Sequence, residues 1–529
     1  MKYNVTALIL VIVVLFSGCR KQASSHPAWY ITSLPAEPVT LNPVTSSEAY
    51  GSAVYGHVFN SLITVDKTLT VIPDLAERWE ISPDHLVYTF HLRKDVTWHD
   101  GKPFTAHDVV FTYQKIMDPL SKAMNKRADF LDVVKAEALG DHTFRATYKR
   151  AFVPALLSWG ISIIPRHIFQ NVDFLSNPYN RAPIGTGVYR FVEWKTGQQL
   201  TLAKVTNHFR DNPAIERIIF KVIKDDAVRL AAYKRGDIDF NSMNAEQWER
   251  AKKDASITRR SHMLEYTVLS FSYIGWNMDG SNPFFTDKRV RQAMSHALPV
   301  DAVIKSILHG HARAISGPFH PDVWAYNKAV RAYPFDMKIS AALLSSAGWS
   351  DSDKDGVLDR SVNGKKIDFR FEILYGESST EGEATLILLK ENLAKIGVTL
   401  DLHKIEWSAY TKKIHSKQFT ACLLGWSLSI DPDPTQLFHS REIAEGLNYY
   451  SYRNAEVDRL CDEGIREFDQ AKRAAIYRRV HAVLNDECPY TFLWARNALV
   501  AIDDRFTGIE LSPAGLDFYP GMLAWKIKK

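Results

Sequence analysis

The run from Val5 to Phe16 constrains this chain more than any other segment, because it decides the compartment in which everything after it must fold. It carries no charge, follows Lys2, and gives way to Ser17-Gly18-Cys19. Twelve helical residues rise about 18 Å, well short of a hydrocarbon layer roughly 30 Å thick. The run therefore reads as the apolar part of an export signal rather than as a membrane span. No other stretch approaches eighteen apolar residues, so the body of the chain is expected outside the cytoplasm.

Small residues directly before a cysteine resemble a bacterial lipobox, with cleavage after Gly18 and a diacylglyceryl group on Cys19. Phe16 departs from the leucine such boxes usually carry, and an ordinary signal peptide with an incidental cysteine is the competing reading. Acyl chains contribute about 0.8 kcal/mol per buried CH₂, so a lipidated Cys19 would hold a soluble body at a membrane. Residues 1–18 are thus expected to be a discarded signal and 19–36 a tether. The expected location is the periplasmic side of a Gram-negative envelope or the outer face of a Gram-positive cytoplasmic membrane. Cys422, Cys461 and Cys488 remain, an odd number whose spacing fits no zinc pattern. Cys422 lies in an apolar run and reads as a small buried hydrophobe; a disulfide between two of the three is open.

Length matters next. At roughly 150 residues per domain, 529 residues imply about three domains. The 65 basic and 60 acidic side chains leave a net charge of +5, too little for a dedicated nucleic-acid binder, whose phosphate contacts need concentrated cation. Gly at 26 and Pro at 23 imply no long flexible linker.

The local patterns are those of an α/β protein. Leu86, Tyr88, Phe90 and Leu92 alternate with Val87, Thr89, His91 and Arg93, which predicts a strand. Thr105 to Asp108 is spaced as a capping box, and Val109, Tyr113, Ile116 and Met117 follow at helical period. Asp287 announces a second helix, interrupted at Pro299. Further helices are expected over 339–347, 384–396, 457–468 and 471–484.

Catalytic patterns are mostly missing. Gly425-Trp426-Ser427-Leu428-Ser429 approaches a nucleophile elbow, but Ser429 replaces the glycine its tight turn needs. There is no His-Glu-x-x-His, Walker loop or Gly-x-Gly-x-x-Gly. A tethered hydrolase stays a competing reading only because triad members need not be adjacent in sequence. Asp351, Asp353, Asp355 and Asp359, with Gly356, follow the order of a calcium loop, yet Val362 stands where a bidentate glutamate belongs. An acidic surface turn is the preferred reading, and no metal or cofactor is expected.

Several segments in order resemble the solute-binding receptors of oligopeptide and dipeptide ABC importers. They begin with Thr40-Leu-Asn-Pro43, Val58-Phe-Asn-Ser-Leu62 and Leu75-Ala-Glu-Arg-Trp79. The most specific block runs from Tyr88 to Gly101 and on through Phe104 to Val109. Gly185-Thr-Gly-Val-Tyr189, Gly236-Asp-Ile-Asp239, Asp287 to Ala293, Ala347-Gly-Trp349 and Asn454 to Asp458 complete the set. Val188 stands where proline is more usual. The resemblance covers about residues 37 to 525.

That resemblance implies a three-domain periplasmic-binding-protein-like (Venus-flytrap) α/β fold with two lobes, mixed sheets and two hinge strands. Domain I would comprise 37–55, 185–268 and 499–529; domain II, an insertion, 56–184; and domain III, 269–498. The crossings would lie near 266–275 and 492–501. It further implies a monomeric, non-enzymatic receptor that closes on a peptide and presents it to the permease subunits of an ABC importer. Gly425, Trp426, Ser427, Leu428, Ser429 and Asp431 would line the cleft, offering main-chain groups to an extended ligand. Ser46, Ser47, Glu48 and Ala49, with Tyr50, would face them from domain I. Many such receptors carry an acidic residue three positions after the tryptophan to neutralise the ligand's α-amine; here that position is Ser429. Asp431 becomes the expected amine partner, with Glu48 the other candidate. The change also opens the same fold to a nickel chelate, haem, an opine or an oligosaccharide, and to a peptide sensor that signals without transport.

Overall fold

A computed structural model describes residues 28–528 other than Ser378, Ala514 and Asp517. The expected signal and residues 19–27 of the expected tether, Cys19 among them, lie outside the described residues; Trp29–Leu34, expected as tether, is instead a strand paired in the first sheet. No helix among the described residues is long and apolar enough to cross a membrane.

Three sheets organise the chain. The first has four strands in the order Trp29–Leu34, Arg217–Val222, Gln199–Lys204, Tyr189–Lys195, with only the first pair parallel. Between its first and later strands, in sequence, comes a four-stranded antiparallel sheet: Ala76–Ile81, Val87–Leu92, Thr143–Tyr148, Val133–Ala138. The alternation around residue 88 appears as burial: Tyr88, Phe90 and Leu92 point inward. Beyond it, the helix Ala106–Met117 starts where expected, the Thr105 N–H donating to Asp108 at 2.9 Å. Both sheets share one apolar core, which also takes in Val500, Ile502 and Trp525 from the chain's end.

The third sheet has eight strands and both its faces are covered. Phe271 and Tyr273 belong to one apolar cluster and Ile274 and Trp276 to another, the period-two geometry of a strand buried on both sides. Its longest strand, Tyr490–Asp503, joins the two halves of the molecule. Its first part pairs with Ser270–Trp276 and Ala312–Ala314; its last part pairs with Ser261–Thr267 and Phe240–Ser242. Fourteen extended residues span about 46 Å, enough to run through both. The other crossing is short: only Val268 and Leu269 separate the strands Ser261–Thr267 and Ser270–Trp276.

Several helix limits differ from the sequence expectation because caps override periodicity. Asn454 accepts the N–H groups of Glu456 and Val457, so that helix spans Ala455–Gly464 rather than 457–468. Asp469 accepts from Ala471 and Lys472 and starts Gln470–Glu487. The remaining two are Met337–Ser346 and Thr380–Ala394. Cys422, Cys461 and Cys488 are buried free thiols, which excludes a disulfide among them.

The motif blocks mostly do structural work. A Cβ on Gly185 would fall 1.8 Å from the Val58 carbonyl oxygen, so only glycine lets these segments pass. His99 clamps the same loop, its Nδ1 accepting from Gly185 N–H at 3.2 Å and its Nε2 donating to the Gly187 carbonyl at 2.8 Å. Burial lowers this imidazole to about 4 and keeps it neutral, as both bonds require.

Candidate functional site: the interlobe cavity

A cavity of about 930 Å³ lies where the second sheet's lobe meets the third, near the top of the range for small-molecule sites. Its walls come from three places: Ser61 to Val65 and Phe152 to Gly160 on one side, Trp426 to Pro434 on the other, and Val268 to Ser270 at the crossing.

The strand Ala421–Ser427 explains why the second wall can hold an extended ligand. One edge pairs along its whole length with Ser270–Trp276. The other edge meets the strand Arg370–Gly376 only at Ala421 and Cys422. Past that point it has no strand partner among the described residues; the Tyr410 hydroxyl donates to the Leu423 carbonyl at 2.6 Å. Main-chain groups are thus exposed at the place where Trp426 enters the cavity wall. The Trp426 ring is held on two sides, stacked on Tyr273 at 6.3 Å and on Tyr449 at 5.9 Å between centroids.

The expected site residues divide. Trp426, Ser427, Leu428, Ser429 and Asp431 line the cavity; Gly425 supports it from the strand. Ser46, Ser47, Glu48 and Ala49 do not line it. Ser46 is buried, Glu48 accepts the Val39 N–H at 2.7 Å, and Ala49 begins a short helix. Asp431 as amine partner needs correction: Arg473 holds both its carboxylate oxygens, at 2.6 and 2.7 Å. That arginine also donates to the Gly464 carbonyl and lies over Trp324 and Tyr477, so the charge is already matched. The resemblance to a nucleophile elbow also dissolves, since Ser427 ends a strand and the next helix begins only at Thr435. Asp351, Asp353 and Asp359 do converge, within 4.8 Å, but away from the cavity. Lys366 bonds Asp353 and lies 3.7 Å from Asp359, while Asp351 accepts the N–H groups of Asp355 and Gly356. This is an acidic surface turn closed by an ammonium.

The sequence model of the bacterial extracellular solute-binding proteins, family 5, matches residues 70–443. The oligopeptide-binding protein AppA of Bacillus subtilis is 31% identical, with 97% of each chain covered. The chain belongs to family 5 of the extracellular solute-binding proteins. The structure of B. subtilis AppA in complex with a nonapeptide superimposes with a TM-score of 0.87 over 95% of this chain and 99% of that one, at 30% identity. Two other relatives carry different names. The heme-binding protein A of Haemophilus influenzae is 28% identical over 95% of this chain and 93% of its own length. NikZ of Campylobacter jejuni, in complex with Ni(L-His), matches with a TM-score of 0.84 at 27% identity, covering 95% and 99%.

In this family 5 protein the lobes touch across the cleft. The Val153 N–H donates to the Ile465 carbonyl at 2.8 Å, Gln436 donates to Asp129 at 2.7 Å, and His85 stacks on Phe468 at 4.0 Å. Val153, His85 and Asp129 come from the stretch of chain that carries the second sheet, and Ile465, Phe468 and Gln436 from the stretch that carries the third. Two cavity residues escaped the sequence reading. Asp129 and Asp433, neither of them among the expected site residues, both place carboxyl groups on the wall. Burial, then the neighbouring Asp433, raises Asp129 to about 7. Burial likewise raises Asp433 to about 6, against the bonds from Thr435. No sequence signal separates them from other aspartates, because their environment is made by residues from two lobes.

Proposed function

We propose that this solute-binding protein captures peptides between its lobes and hands them to the permease subunits of an ABC importer. The observation that carries the reading is the half-unpaired strand Ala421–Ser427, whose free edge runs into the cavity wall. Main-chain bonds along such an edge confer affinity without dictating ligand sequence. The nonapeptide complex of B. subtilis AppA supports the same reading. The bodies 37–55 with 185–268 and 499–529, 56–184, and 269–498 would move about the two crossings, and ligand favours closure by contacting both walls. The cycle is binding alone, with no covalent step. Cys19 would carry the lipid that keeps the receptor at the membrane, as a monomer; a Cys19→Ala protein released from the membrane fraction would support this, and one retained there would refute it.

Haem or a nickel chelate fits this cavity less well. Such ligands call for histidine or arginine at the site, and the cavity-lining residues among those described include neither. Calorimetric titration decides between the readings. Peptides of two to nine residues are expected to bind, with haem and nickel–histidine silent; the reverse pattern would overturn the proposal.

A further inference from the structure

Asp129, on the short turn Ala128–Phe130, and Asp433, just before the helix Thr435–Phe438, both line the interlobe cavity. Their partners are neutral donors. Gln436 donates to Asp129 at 2.7 Å; the Thr435 hydroxyl and N–H reach Asp433 at 2.6 and 3.1 Å, and the Tyr477 hydroxyl at 3.3 Å. Neither nearby cation bonds these two carboxyl groups, although the Lys126 charge acts on Asp129. Arg473 is held by Asp431, and Lys126 donates to the Ser46 carbonyl at 2.6 Å. Glu442 near Asp129 and Asp431 near Asp433 are each paired with an arginine of their own, Arg441 and Arg473. Two half-buried carboxylates lining one cavity, with only neutral donors bonded to them, cannot both stay ionised at low cost.

We propose that the closed cleft requires a positive charge at Asp129 and Asp433, supplied by an ammonium or guanidinium of the ligand or, when the ligand is neutral there, by a proton taken up on closure. This rests on the peptide reading and names the ligand chemistry of the same site. The sign follows from linkage. In the open cleft a solvated carboxyl titrates near 3.9, whereas Asp129 in the closed cleft titrates at about 7. Between those values closure binds a proton, so affinity for a neutral ligand falls about tenfold per pH unit, levelling off above about 7. A ligand cation replaces the proton and flattens the profile.

The test uses three pentapeptides of otherwise identical sequence: one with a free N-terminus, its N-acetyl form, and the N-acetyl form carrying one lysine. Affinities are measured by calorimetry on the full-length protein at pH 5.5 and 8.0. The neutral N-acetyl peptide is expected to weaken at least tenfold at the higher pH. At least one charged peptide should weaken less than threefold, and which one does so identifies the source of the cation. Asp129→Asn should abolish the difference; Asp433→Asn serves if that variant does not fold. Parallel profiles for charged and neutral peptides would overturn the clamp while leaving peptide binding intact. Failure of all three to bind at either pH would refute the peptide reading itself, and the clamp with it.

Discussion

Two aspartate-rich segments, 351–359 and 431–433, look alike in sequence and behave oppositely in the fold. In the first, Asp351 and Asp353 are exposed, their charges met by water, by amides of their own turn and by Lys366. In the second, the carboxyl groups are half-buried against the cavity. There Asp431 needs a nearly buried arginine, and Asp433 rises to about 6 without one. Solvent access, rather than residue type or spacing, decides which acidic loop is inert and which bears on binding.

The largest expected effect comes from breaking the buried ion pair. Arg473→Met leaves Asp431 unmatched and should cost about 3–5 kcal/mol in denaturant unfolding. A cost below 1 kcal/mol would mean that the second loop is as well solvated as the first. Acid should also weaken the fold away from either loop. Burial lowers His481 to about 4 while Nδ1 accepts from Asn327 N–H and Nε2 bonds Ser316. The folded pKa lies below the unfolded value near 6.5, so this stability is complete above pH 6.5 and is lost as pH falls toward 4. A melting temperature that declines over that window, less steeply in His481→Gln, would separate this acid effect from the cavity carboxyls, which act in the opposite direction.

Trp426→Ala should weaken peptide binding by about 2 kcal/mol, roughly thirtyfold, with cooperative unfolding retained. Unchanged affinity in calorimetry would place the tryptophan in packing alone. The smallest effect belongs to the exposed loop. Lys366→Met should shift the melting temperature by no more than about 1 °C and leave peptide affinity unchanged, as exposed ion pairs generally do. A larger shift would show that the two loops differ less than their solvation suggests.

How much of this could be read in the sequence follows the same division. Tyr88, Phe90 and Leu92 declare a strand because its pattern is local, and Asp287 declares a helix because caps are local. Trp426 and its neighbours reach the cavity because a contiguous motif carried them there. The partners of Glu48 and Asp431, Val39 and Arg473, are not legible in the sequence because they are chosen by tertiary folding. Asp129 was invisible for a stronger reason: its partner Gln436 is 307 residues away and on the other lobe.

The most direct test of peptide capture is mass spectrometry of whatever remains bound to protein purified without denaturation. Recognition through the free edge of Ala421–Ser427 predicts a ladder of peptides of mixed sequence. A single non-peptide compound would contradict it.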